Sequence, residues 1–142
     1  MTCMHIVIGN NKHKEIILEK YPHTKQVMYD GGYLIVAINN DKLLGFAWAF
    51  MRDIPVPVSQ KELFINVIEV FEPSNYKKGI ATEIIKMTIQ LAKELEVYQI
   101  RAYVDINNVA SNNLWVKNNF GISPVKDCKD KIPGSYVTYT IR

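Results

Sequence analysis

The stretch from Phe64 to Asp105 constrains the fold most, because it sets one amphipathic helix between two apolar extended runs. FINVIEVF, beginning at Phe64, has the length and apolar density of a buried strand, and Pro73 stops it because proline has no N–H to give a ladder. From about Gly79 to about Leu95 the period changes. Ile80, Ile84, Met87 and Leu91 recur at helical spacing, while Glu83, Lys86, Gln90 and Lys93 fall on the other face. QIRAYVD, from Gln99, returns to short-strand character. Helices alternating with extended segments need a sheet to pack on, so this region predicts an α/β architecture.

The other segments extend that reading. CMHIVIG predicts a strand closed by Asn10 and Asn11, and KHKEIILEKY a short helix that Pro22 ends. GYLIVAIN and KLLGFAWAF form a hairpin around the turn chemistry of Asn39, Asn40 and Asp41. Pro55 and Pro57 make RDIPVPVSQKE an exposed loop, with the next strand beginning near Leu63. NNVASNNLWVKNN predicts a second helix capped by Asn107 or Asn108, and SYVTYTIR a last strand. The predicted order is β-α-β-β-β-α-β-α-β in a sheet of mixed direction.

A chain of 142 residues, 48% of them hydrophobic, can bury one core, and we expect a single domain over 1–142. The net charge of +3 lacks the clustered basic stripe of a nucleic-acid binder. Cys3 and Cys128 have no partner spacing, which suits a reducing compartment better than disulfides or zinc. No apolar run approaches the roughly 20 residues needed to span a bilayer. The stretch up to Asn10 lacks the basic-then-apolar pattern of a secretory signal. A cytoplasmic protein without a metal, a membrane or a nucleic-acid partner is the expectation.

EPSNYKKGIATEII carries the most chemical information. A strand gives way through a polar turn to a helix start containing Lys77, Lys78, Gly79 and Ala81. The first amides of a helix have no intrahelical acceptor and the macrodipole adds partial positive charge, so phosphates can settle there. Gly79 permits close approach and Ala81 keeps the first turn thin. The same pattern also describes an ordinary solvated helix start, and this stretch alone leaves both open.

In context, Tyr76-Lys77-Lys78-Gly79-Ile80-Ala81 resembles motif A of the GCN5-related N-acetyltransferases, Gln/Arg-x-x-Gly-x-Gly/Ala after a strand ending in proline. Tyr76 stands where the family has Gln or Arg. NVASNNLWVKNNF is similar to the family's motif B, Asn-x-x-Ala/Ser-x-x-x-Tyr-x-Lys-x-Gly-Phe, with Asn108, Ser111, Lys117 and Phe120 in matching places. Trp115 takes the usual tyrosine position and Asn119 replaces the glycine before Phe120. Before Asn40 only the order of elements matches.

The resemblance implies a mixed sheet of about six to seven strands flanked by helices, with one strand more at the end of the order given above. It implies an acetyl-CoA cofactor, an amine of a small molecule or peptide as acceptor, and a homodimer as one state open to the chain. Backbone groups near Val70 and Phe71 would then receive the acetyl carbonyl and the pantetheine arm. Amides of Lys77, Lys78, Gly79, Ile80, Ala81 and Thr82 would receive the pyrophosphate, with Asn108, Ser111, Trp115 and Lys117 completing the cofactor site.

An alkylammonium must lose a proton before it attacks, so a base is expected. Glu69, a carboxylate within an apolar strand, is the candidate; a solvent-facing edge or a salt bridge to a lysine would explain it equally. Glu72, beside Pro73, reads as exposed. The leaving thiolate normally takes a proton from the motif B tyrosine, which the donor-only indole of Trp115 cannot replace. Tyr103 is the nearest substitute, with Tyr136 and Tyr139 on the last strand, although a strand tyrosine is more often packing. The alternative is a non-catalytic acyl-CoA-binding or sensing domain, and a third reading is an α/β domain for another phosphorylated ligand or a protein partner. His5, His13 and His23 precede the matching region and read as surface or packing residues. Trp48 and Phe50 are core candidates that could also line an acceptor pocket. RDIPVPVSQKE and KDCKDKIPGS mark loops that the resemblance assigns to acceptor recognition.

Overall fold

The computed structural model describes residues 4–26, 28, 31–71, 79–105, 107–125 and 133–141. Among them run β1 (Met4–Ile8), α1 (Asn11–Lys20), a 3-10 turn (Pro22–Gln26), β2 (Tyr33–Asn39), β3 (Lys42–Ile54), β4 (Gln60–Val70), α2 (Ile80–Glu94), β5 (Gln99–Asp105), α3 (Val109–Lys117), β6 (Gly121–Pro124) and β7 (Gly134–Thr140). The seven strands form one sheet in the order β1-β2-β3-β4-β5-β7-β6. Every pairing is antiparallel except that of β4 with β5. That parallel pair is forced by the connection through α2, since parallel neighbours need a crossover rather than a hairpin. The mixed α/β architecture read from the sequence is therefore the observed one, and β6 is the additional strand.

Both faces of the central strands are covered, and β2 shows how. Ile35 and Ala37 point into a core with Ile84, Ile85 and Leu91 of α2 and Trp115 of α3. Leu34 and Val36 point the other way, against Ile17 of α1 and beside Phe46, Trp48 and Phe71. Period-2 alternation puts apolar groups on both sides, so the strand reads as a continuous apolar run. α2 buries Ile80, Ile84, Ile85, Thr88, Leu91 and Ala92, and the Thr88 hydroxyl is satisfied by the Ile84 carbonyl at 2.8 Å. Met87, expected on the buried stripe, is only partly covered.

The loop expected over RDIPVPVSQKE is much shorter than the prolines suggest. β3 runs on to Ile54 and β4 begins at Gln60, leaving only 55–59 as the turn. Register explains this: Arg52 sits opposite Glu62 and Asp53 opposite Lys61, so opposite charges face each other across the hairpin and hold the ladder together. The Glu62 carboxylate, 3% exposed, accepts from Arg52 Nε at 2.9 Å, from Arg52 Nη2 at 2.6 Å and from Gln99 Nε2 at 2.7 Å. One buried charge thus ties β3, β4 and β5 together.

α3 is held at both ends by asparagines. The Asn108 side chain caps the Ser111 amide at 3.0 Å, while Asn112 Nδ2 donates to the carbonyls of Asp105 and Asn108. At the other end Asn119 takes φ +68, Phe120 N–H donates to Trp115 O and Asn119 N–H to Val116 O. These bonds, with Phe120 packed edge-on against Trp115 at 4.8 Å between centroids, make a Schellman ending. Asparagine is the non-glycine residue best suited to that left-handed position, which explains why it stands where glycine was expected.

Candidate active site

β4 and β5 stay paired only from Glu62/Gln99 to Ile65/Ala102. Just beyond, the β3–β4 register slips: Trp48 lies opposite Val67 but Ala49 opposite Ile65, so Asn66 is an extra, bulged residue. A bulge bends its strand and raises the local twist, and here the carboxyl half of β4 leaves β5. Between them opens a cleft of about 200 Å³, lined from β4 by Ile65 to Ile68, from β5 by Ala102 to Asp105, and from α3 by Asn108, Ser111 and Trp115.

The ladder decides which β4 groups face that gap. Phe71 N–H donates to Leu44 O at 2.8 Å, so Phe71 directs its amide to β3. Strand alternation then turns the backbone groups of Val70 and Ile68 toward the side that β5 has vacated. Of the two residues expected to offer backbone groups, Phe71 turns its amide to β3, while Val70, with Ile68, faces the gap. Phe71 instead buries its ring, stacked on Tyr21 at 3.9 Å between centroids.

Gly79 caps α2 at φ +76, a left-handed conformation that strains any residue with a Cβ. The crossover brings this helix start to the carboxyl end of β4, where the cleft opens. Ile80 buries its side chain in the core, so only its amide is available there, and Ala81 and Thr82 are half-buried in the same turn. Lys77 and Lys78, with Tyr76 and Glu72, lie outside the described residues.

On the α3 wall, Trp115 is 2% exposed and its Nε1–H donates to Ser111 Oγ at 3.2 Å. The indole is a packed wall with its one donor engaged. Lys117 ends α3 on the exposed surface, away from the cleft lining.

Glu69 and Tyr103 belong to the face that carries α1. Glu69, with 31% of its side chain exposed, has His23 Nε2 at 3.1 and 3.2 Å from its two carboxylate oxygens. The sequence left a solvent-facing edge or a lysine partner open for Glu69, and the partner found is this histidine. Glu69 stands one strand-step from the cleft, whereas Tyr103 lines it. Tyr103 packs edge-on against Tyr136 at 5.1 Å, and Gly134 leaves room for its ring, since a Cβ there would lie 2.9 Å from Tyr103 Cζ. Trp48 is buried core on this face, and Phe50 packs on Phe64 at 5.6 Å.

The sequence reading did not foresee His23, Asn66, Ile68 or Asp105 at this site. Asn66 gave a signal, a polar residue in an apolar run. His23 gave none, because 46 residues separate it from Glu69.

A parallel pair that separates at its carboxyl end beside a helix start marks an α/β protein that takes its ligand at strand ends. The chain belongs to the acetyltransferase (GNAT) family, whose model matches residues 9–120. No curated protein matches the sequence. Among solved structures it is similar to yncA of Salmonella typhimurium, determined with its cofactor acetyl-CoA, at TM-score 0.73 and 16% identity over 98% of this chain and 94% of that one. It is also similar to a Bacillus subtilis acetyltransferase in complex with CoA, at TM-score 0.70 and 17% identity over 99% and 100% of the two chains. An N-acetyltransferase from Staphylococcus aureus Mu50 gives TM-score 0.71 and 19% identity over 99% of each. At these identities the likeness is one of fold.

Proposed function

We propose that this chain is one acetyl-CoA-dependent N-acetyltransferase domain, transferring an acetyl group to a primary amine of a small molecule or peptide by direct attack on the thioester. The observation that carries this reading is the cleft, which passes through the sheet: Trp115 and Ser111 wall it on one face, Tyr103 on the other. A cofactor arm and an amine can therefore meet from opposite sides.

The described residues fit the cofactor. The first-turn amides of α2 at Gly79, Ile80, Ala81 and Thr82 would receive the pyrophosphate and the cleft-facing backbone of Ile68 and Val70 the arm, and Lys77 and Lys78, next to Gly79 in the sequence, would add charge. When bound, acetyl-CoA supplies an already activated acyl group. The protein's part is to hold the amine in line and take up its proton. Glu69, with His23 beside it, serves as base through intervening water, since it borders the cleft without lining it. Tyr103, a phenol on the cleft wall, is the donor for the thiolate, a role the engaged indole of Trp115 does not fill. The same engaged indole favours the second reading, a domain that binds acyl-CoA without turning it over.

The test is calorimetric titration with acetyl-CoA of the native protein and of Gly79→Glu, joined to thiol-release assays with pooled primary amines. We expect saturable binding, weakened at least about tenfold in the variant, and amine-dependent thiol release. Binding without release from any amine would select the non-catalytic reading, and absence of binding by folded protein would sink both. Glu69→Gln should lower kcat by about a hundredfold between about pH 6 and 9, a loss absent if Glu69 is only a salt-bridge partner.

A further inference from the structure

Arg101 is charged, half-buried and, among the described residues, without an acid partner. It precedes the cleft residues Ala102 and Tyr103 on β5 and shares Tyr103's face. Its Nε is buried and has no hydrogen-bond partner among the described residues. The ion pairs among those residues do not include it. Of the two acids that line a cavity with Arg101, Glu62 is engaged by Arg52 and Gln99, and Asp53 pairs with Lys61 at 2.7 Å. What holds the guanidinium is the Tyr136 ring, 3.9 Å from Cζ to the centroid. Arg101 and Arg52 both line a cavity of about 340 Å³ on this face.

A half-buried cation is normally paired, and guanidinium is a planar fork that matches a carboxylate or phosphate with two parallel hydrogen bonds. The ring holds the guanidinium in place before any anion arrives. Tyr136 touches both Arg101 and Tyr103, so an aromatic step joins this cavity to the cleft. One residue, Ala102, separates Arg101 from Tyr103 along the strand, a distance of about 7 Å.

We propose that the acceptor carries an anionic group, a carboxylate or phosphate, which Arg101 receives while the amine, about 7 Å away along β5, meets the cleft at Tyr103. This deepens the N-acetyltransferase reading and rests on it for the position of the amine. The preferred acceptor is thus an amino acid-like or amino phosphate-like compound with a spacer of several bonds, and a plain alkylamine lacks half of the recognition.

Binding is tested first, without turnover. The side-chain Nε–Hε resonance of Arg101, assigned by its loss in Arg101→Lys, is followed by NMR while the native protein is titrated with 5-aminopentanoate, its amide, pentylamine and an aminoalkyl phosphate. We expect saturable shifts with the carboxylate or the phosphate and none with the amide or the alkylamine; whichever anion saturates at lower concentration names the source. Equal shifts with the amide, or no shift with either anion, would overturn the proposal. With acetyl-CoA present, kcat/KM should favour the anionic acceptor over its amide by at least about tenfold, through KM, and Arg101→Gln should erase that preference. An undiminished preference in Arg101→Gln or Arg101→Lys would also overturn it. Acetyl-CoA titration of each variant shows whether the cofactor cleft is intact. If no amine is acetylated, the enzymatic reading fails while the NMR titration still decides the anion site.

Discussion

The two halves of β4 have similar side chains and opposite uses. From Glu62 to Ile65 the strand is paired on both edges and its one acid, Glu62, is buried and bonded to both neighbouring strands. From Asn66 to Val70 it is paired only with β3, half-buried throughout, and its acid, Glu69, faces a histidine near solvent. One bulged residue divides them. The two carboxylates show that position relative to the ladder, rather than residue type, decides which is buried.

This contrast can be broken in four ways. The largest effect is expected on the wall of the open half, where Trp115→Ala should lower unfolding free energy by about 3–5 kcal/mol in denaturant titrations, because the indole is nearly fully buried. Below the bulge, Glu62→Gln should lower it by about 2 kcal/mol, leaving Arg52 without its acid, yet acetyl-CoA affinity should stay unchanged. A large affinity loss in that variant would show that the two halves are not independent. Deleting Asn66 should restore continuous β3–β4 register at the cost of the cleft: the protein folds and binds acetyl-CoA at least about tenfold more weakly. If affinity survives, the bulge does not make the site. The smallest effect is a gain. Asn119→Gly should raise stability by about 0.5 kcal/mol, read from the denaturation midpoint, since glycine takes φ +68 without strain.

Much of the fold was legible in the chain. The period change at Gly79 gave α2, the apolar runs gave β2 to β5, and the asparagines around Val109–Lys117 marked both ends of α3, because capping and periodicity are local chemistry. The prolines misled at RDIPVPVSQKE, where cross-strand charge pairs won over the expectation of a loop. Short, exposed β6 carries too few residues for a periodic signal. Of the candidate site, Asn108, Ser111 and Trp115, singled out by motif, line the cleft, whereas the orientation of Phe71 and Val70 was not legible, since it depends on which strand edge supplies the partner.

The sequence by itself determined the element order, the helix caps and the glycine at the start of α2, all of which depend on residues a few positions apart. Only the tertiary structure decided where β4 parts from β5, which of two glutamates is buried, and that His23 meets Glu69 and Arg101 meets Tyr136. Those pairings join residues far apart in the chain, and their geometry is set by strand register, which no local pattern encodes.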